Sequence, residues 1–301
     1  MQHGHNRNGF VFGFAIVAGL GALAPFASAQ APAAKPFTVH ELRPNFYWVE
    51  GGGGNSGVIV GNKGVLVIDA KTTPAGGAEL LADIAKITPK PVTTVILTHS
   101  DADHVNGLAA FPAGLKIIAH ENNKKEQEAA IAAGGRGAPP ADRLPTEVVT
   151  KAREGMKIDG VKVELYHWAP AHTSGDLIVF FPDENIAFTG DVISTTLPDP
   201  LIHLEKNGSS EGWIENAKGI VSLNADQFVP GHGDVETKAA VQKRLDSAEA
   251  KRAKIKELVA QGKSLAEIKA AVGDPPATPG RAPRFATFTD VVYRELTKKS
   301  S

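Results

Sequence analysis

The sequence predicts an α/β layered fold, and three observations predict it. Strand-like apolar runs alternate with helix-like runs through the middle of the chain. Short apolar runs joined by glycine turns, the signature of hairpins, crowd its front. A long amphipathic helical pattern follows the last strand-like run. Phe46–Glu50, Gly57–Gly61 and Gly64–Asp69 read as strands, with Gly51–Gly54 and Asn62-Lys63 as the turns between them. Gly76–Lys86 reads as a helix, Val92–Leu97 as a buried strand, and His104–Phe111 as a short helix starting on a loop. Lys116–Ala119 is a strand and Lys124–Ala133 a helix, and Arg136–Pro145 is a Gly/Pro-rich loop. Val161–Tyr166, Leu177–Phe181 and Ile186–Thr189 are strands, the last two joined by the turn Pro182-Asp183-Glu184-Asn185. Gly212–Leu223 is helical and Gln227–Val229 is a last short strand.

Beyond residue 238 the character changes. Ala239–Ala260 places Val241, Leu245, Ala248, Ile255 and Leu258 on one helical face. Ser264 and Glu267 form a capping-box pattern for a helix ending near Gly273, Pro275–Pro283 is a loop, and Thr289–Lys298 is a last helix. No internal repeat is visible. The domain reading is a leader over 1–29, a linker over 30–36, a main domain over 37–238 and a helical extension over 239–301.

Composition narrows the function classes. The formal charge of −1 gives no basic face for a nucleic acid, and no nucleic-acid partner is expected. The chain has no cysteine, which excludes disulfides, thiolate metal sites and a Cys nucleophile. Arg7, the apolar run Phe10–Phe26 and the A-x-A site Ala27-Ser28-Ala29 before Gln30 read as a cleaved export signal. That run is short and glycine-broken for a stable membrane span, so a periplasmic or secreted protein without a membrane anchor is expected.

Thr98-His99-Ser100-Asp101-Ala102-Asp103-His104 carries the chemistry. Two imidazoles and two carboxylates within six residues, directly after a buried strand, suit a divalent cation better than an apolar core. Burying them without a partner ion would be costly. Three more polar positions fall at strand ends: His172 before Leu177–Phe181, Asp191 in Thr189-Gly190-Asp191, and His232 in Pro230-Gly231-His232-Gly233. Seven candidate ligands are enough for two ions that share one carboxylate. Gly51–Gly54 lacks the Lys-Ser/Thr of a phosphate-binding loop. His40, His120 and His167 read as structural, and so does His203, although its Pro-rich loop could face a substrate. Trp48, Trp168 and Trp213 read as core or pocket walls, and Asn55 and Ser56 as turn residues.

Taken together these motifs resemble the metallo-β-lactamase-fold hydrolase superfamily over roughly Phe37 to Gly233. The usual first motif, T-H-x-H-x-D-H, stands here with Asp101 in place of its second His. His172 before Thr-x-Gly-Asp, Asp191 in Thr-Gly-Asp, His232 in Gly-His-Gly and Asp69 closing Val65–Asp69 match the later pattern. The resemblance implies a four-layer αββα sandwich with two divalent ions, zinc foremost, and a metal-bridging hydroxide as nucleophile. His99, Asp101 and His172 would hold the first ion, Asp103, His104 and His232 the second, and Asp191 would bridge them. Asp103 would also orient the nucleophile and pass a proton to the leaving group. The carboxylate of Asp101 adds a negative charge and a harder ligand, which makes bound water less acidic and widens tolerance to manganese or iron. By the same resemblance, an aspartate at the bridging position implies hydrolysis of an ester, lactone or thioester of a small-molecule substrate. A β-lactam or phosphodiester bond is the alternative within the fold, and a non-catalytic metal-binding envelope protein the alternative outside it.

Overall fold

The computed structural model describes residue 1 and residues 36–134, 138–275 and 285–298. The expected leader with its cleavage site, the linker over 30–35 and the loop over 276–283 lie outside the described residues. Two sheets carry the fold. The first contains β1 (Thr38–Arg43), β2 (Phe46–Glu50), β3 (Ser56–Val60), β4 (Val65–Ile68), β5 (Val92–Ile96), β6 (Lys116–His120) and β7 (Glu147–Val149), in that order across the sheet. Its first four strands form an antiparallel meander, and β4 to β7 run parallel. Parallel neighbours need crossovers. These are supplied by helix α1 (Pro74–Ile87), by the short α2 (Ala102–Val105) with its 3-10 continuation Asn106–Ala110, and by α3 (Glu121–Ala133).

The second sheet has the order β12-β11-β10-β9-β8, from β8 (Arg153–Ile158), β9 (Val161–Tyr166), β10 (Ile178–Phe181), β11 (Ile186–Ser194) and β12 (Gln227–His232). Only β11 and β12 are parallel, linked by α4 (Ser210–Ser222). The helices α5 (Lys238–Ala260), α6 (Leu265–Ala271) and α7 (Phe288–Thr297) complete the order.

Period-2 side-chain alternation builds the layers. Along β4, Leu66 and Ile68 face the second sheet, while Val65 and Val67 face α1, where Leu80 and Ile84 meet them. Along β10, Val179 and Phe181 fill the space between the sheets, whereas Ile178 and Phe180 pack under α4 and α5. Both strands read as continuous apolar runs because both of their faces are covered. The result is the expected αββα sandwich. Val241, Leu245, Ala248, Ile255 and Leu258 are the buried residues of α5, the face that the spacing predicts. The capping box of Ser264 and Glu267 is formed, and a second one, Thr287 with Asp290, starts α7.

Three strands were not expected: β1, β7 and β8. Two strands run further than the sequence suggests. β11 continues through Asp191 to Ser194, and β12 includes His232, so both residues sit inside strands rather than after them. Their pairing shifts register around Gly190, a bulge that re-aims the strand at that point. Among the described residues, no helix is long and apolar enough to cross a membrane.

Candidate metal centre

Strand direction explains why distant residues meet. β11 and β12 run parallel, so Asp191 and His232 come to the same end of the sheet. β10 is antiparallel to β11, so the loop before β10, which carries His172, arrives there too. The loop after β5 brings His99, Asp101, Asp103 and His104 to the same place, and it is tied across by Leu177 N donating to the Thr98 carbonyl at 2.7 Å.

Three of the imidazoles are held from behind. His104 Nδ1 contacts the Asp69 carboxylate at 2.7 Å, and that carboxylate also accepts from Thr98 N at 2.8 Å and Thr98 Oγ1 at 2.7 Å. Because the Thr98 hydroxyl gives its proton to Asp69, its oxygen accepts from His99 Nδ1, 2.9 Å away. His172 Nδ1 donates to the Leu201 carbonyl at 2.8 Å. The Nε2 atoms of all three therefore turn inward, the arrangement that fixes metal-binding imidazoles. Asp176 supports the His172 loop, accepting from Thr173 N and Oγ1 at 2.9 Å.

Three groups of donor atoms lie close enough together to hold an ion: Asp69 with His99 and His104, and two groups around Asp191. His99, Asp101, His172 and Asp191 make one, and Asp103, His104 and His232 the other, with the donor atoms of each group within 4.8 Å of one another. Asp191 Oδ2 lies 3.9 Å from His99 Nε2, 3.8 Å from His172 Nε2 and 3.4 Å from His232 Nε2, and its Oδ1 lies 3.3 Å from His104 Nε2. Asp103 Oδ2 is 3.1 Å from His232 Nε2, and Asp101 Oδ2 is 3.2 Å from His172 Nε2. Two ligands on one tetrahedral ion with bonds of about 2.0–2.1 Å stand about 3.4 Å apart. The observed spacings bracket that value.

The residues fit a cation on a second count. His99 Nε2, His104 Nε2 and Asp191 Oδ1 are buried and make no hydrogen bond. Buried polar atoms without partners are rare and costly, and here three converge on one place.

Charge partners decide the protonation. Burial, reinforced by His104, pushes His99 well below the ordinary imidazole range. Burial also opposes charge on His104, but Asp191 and Asp69 outweigh it and raise that imidazole well above the usual range. Against burial, the hydrogen bond to Asp101 lifts His172 to about 9, and those to Asp103 and Asp191 lift His232 to about 9. The carboxylates move the other way. Against burial, His232 and then His104 bring Asp103 down to about 2, His172 and His203 hold Asp101 well below its usual range, and His104 does the same for Asp191. A cation would take over the balancing that protons otherwise provide.

All seven sequence-derived residues thus meet at one centre. Four contributors were missed or read differently. Asn55 is no mere turn residue: its Nδ2 donates to the Pro230 carbonyl at 2.9 Å and the Gly233 carbonyl at 2.8 Å, clamping the loop of His232. Lys71 is fully buried, with Nζ on the carbonyls of Val49 (2.6 Å) and Gly54 (2.9 Å). Burial brings its amine down to about 7. It props the glycine turn against the centre, where a Cβ on Gly54 would stand 2.2 Å from His104 Cε1. His203 and Lys206 both reach Asp101. His40 stacks on Trp48 and His120 on His167, as structural histidines would.

The centre opens into a cleft of about 570 Å³, walled by Thr72, Leu197, Leu201, His203, Lys206 and Phe285 among others. Asp103 is the most exposed carboxylate of the centre, with 34% of its side chain accessible against 15% for Asp101 and 6% for Asp191.

Fold and centre define a class: an αββα protein with paired histidine–aspartate groups at the strand ends where its two sheets meet. Comparison with known proteins places it more narrowly. The profile of the metallo-beta-lactamase superfamily matches residues 49–232, and the chain belongs to that superfamily. It is 28% identical over 197 residues to the 2,4-dinitroanisole O-demethylase subunit alpha of Nocardioides sp. (strain JS1661), covering 65% of this chain and 57% of the relative. It is 26% identical over 194 residues to the metallo-beta-lactamase type 2 of Bacillus sp. (strain 170), covering 64% and 71%. The fold matches the stereoselective inverting sec-alkylsulfatase Pisa1 from Pseudomonas sp. with a TM-score of 0.66 at 18% identity, over 87% of this chain and 50% of that one. The chain thus spans little more than half the length of the first of these relatives.

Proposed function

We propose that this chain is an exported metal-dependent hydrolase that cleaves an ester, lactone or thioester bond in a small molecule. The observation that carries the reading is the convergence of His99, Asp101, Asp103, His104, His172, Asp191 and His232 into two groups sharing Asp191. His99, Asp101 and His172 are the holders of one divalent ion and Asp103, His104 and His232 of the other, with Asp191 between them. Zinc suits the imidazole-rich set best, and the carboxylates admit manganese or iron. When bound, such ions supply Lewis acidity and activate water near neutral pH.

The chain's own residues do the rest. Asp103 faces the cleft and has an imidazole beside it, so its carboxylate is placed to orient the nucleophile and to carry a proton to the leaving group. Leu197, Leu201 and Phe285 add apolar surface to the cleft lining. Leu197 and Phe285 are two of the few large apolar side chains left exposed among the described residues, which supports a substrate with an apolar portion beside the labile bond.

Metal content and a hydrolysis panel test the reading together. Protein purified without chelator or added metal should carry about two ions per chain. Hydrolysis of chromogenic esters, lactones or thioesters should disappear with chelator and return with zinc. Activity indifferent to chelation, or no uptake of metal after reloading, would overturn it. The β-lactamase relative favours adding a β-lactam to the panel. Turnover of that compound alone would move the assignment from esters to β-lactams.

A further inference from the structure

Asp101 stands where the resembled motif has a histidine, so the first group gains a negative charge that something must balance. The balance comes from the 3-10 turn Leu204–Lys206, more than a hundred residues further along the chain. Lys206 Nζ donates to Asp101 Oδ1 and, at 2.9 Å, to Ser100 Oγ. That contact takes one carboxylate oxygen and leaves the other. Oδ2 faces His172 Nε2 at 3.2 Å and His99 Nε2 at 3.8 Å, toward the first group. His203, from the residue before the turn, reaches the same Oδ2 with Nε2 at 3.2 Å. His203 is itself fixed: its backbone N donates to the His172 carbonyl at 2.8 Å, and its Nδ1 contacts Glu205 Oε1 at 2.5 Å. A lysine this close to a bound dication would ordinarily weaken it. Beside Asp101 it does the opposite, because it neutralises one oxygen and fixes the rotamer that presents the other.

We infer that Lys206 is the positioning residue that makes Asp101 a one-oxygen metal ligand, with His203 steadying the same carboxylate. The aspartate and the lysine then act as one unit in place of the imidazole that the motif lacks. This rests on the two-ion reading above, and the test separates the two.

Zinc affinity, measured by calorimetry and by competition with a chromophoric chelator, is compared in the native protein, Lys206→Met, Lys206→Arg, Asp101→His and the double variant Asp101→His/Lys206→Met. Thermal unfolding of each variant reports whether it folds. Lys206→Met should weaken zinc binding at the first group by about 10–100-fold, the usual cost of losing a partner behind a ligand. Lys206→Arg should recover most of that loss. With His at position 101, Lys206→Met should leave affinity unchanged or raise it, because the lysine then faces a cation with no carboxylate between them. Native affinity in Lys206→Met, or the same loss in both backgrounds, would overturn the inference while leaving the two-ion reading in place. A native protein that takes up no zinc would overturn both.

Discussion

Glycine at positions 54 and 231 shows how closely backbone approaches the centre. A Cβ on Gly231 would stand 1.8 Å from Asp191 Oδ1, and one on Gly54 would stand 2.2 Å from His104 Cε1. Neither neighbour can yield without turning its donor atom away from the others. Gly231→Ala should therefore lower zinc affinity at least tenfold, on the order of a lost supporting contact, with the far-UV circular dichroism unchanged. Equal affinity in a competition titration would show that Asp191 has room to move. The seven centre residues were legible because each stands in a short motif at the end of an apolar run. Asn55 and Lys206 were not, because what defines them is contact across long stretches of chain, 175 residues for Asn55 with Pro230 and 105 for Lys206 with Asp101. Such contacts leave no local pattern. Lys71 left none either: a lysine after a strand reads as solvated, and only the closed fold buries it.

At the scale of elements, the misses share a cause. β1 and β7 are the two edges of the first sheet and β8 is an edge of the second. All three are mostly exposed or half-buried, so they carry fewer apolar residues and a weaker signal, whereas β12, the other edge of the second sheet, is mostly buried and was legible. The six residues of β8, Arg-Glu-Gly-Met-Lys-Ile, alternate exposed and half-buried without one fully buried member. Central strands such as β4 and β10 are buried throughout and were plain from their runs of Val, Leu, Ile and Phe. Helix α5 was legible for the opposite reason, since a 3.6-residue period persists over its many turns, and α6 was legible from its capping box. α7 contributes Phe288, Val291 and Val292 to the core under the second sheet. Phe288→Ala should cost about 3–5 kcal/mol, as is usual for a buried phenylalanine. Urea unfolding followed by tryptophan fluorescence measures it. A loss below about 1 kcal/mol would show that α7 is not part of the cooperative unit.

For the whole molecule, pH and metal should pull stability in opposite directions. His172 and His232 are each raised to about 9 by their carboxylate partners. A folded-state value above the unfolded one of about 6.5 contributes stability that is full below that pH and is lost as pH climbs toward 9. The chelated protein should thus lose Tm between about pH 6.5 and 9. Metal uptake requires those same imidazoles to shed their protons, so affinity should rise over that range and level off near 9. Differential scanning calorimetry at several pH values, with zinc and with chelator, should show the gap between the two Tm values widening as pH rises. A constant gap would mean that these imidazoles bind no metal.

All of the first sheet lies before residue 150 and all of the second after residue 152. His99, Asp101, Asp103 and His104 belong to the earlier half, and His172, Asp191 and His232 to the later one. Each of the two donor groups around Asp191 needs members from both halves. Neither of these two groups is completed by one half alone, although Asp69, His99 and His104 already lie together within the earlier half, so the paired centre behaves as a clasp that closes only when the halves find each other. A chain divided between them would complete the two groups around Asp191 only where the pieces pair.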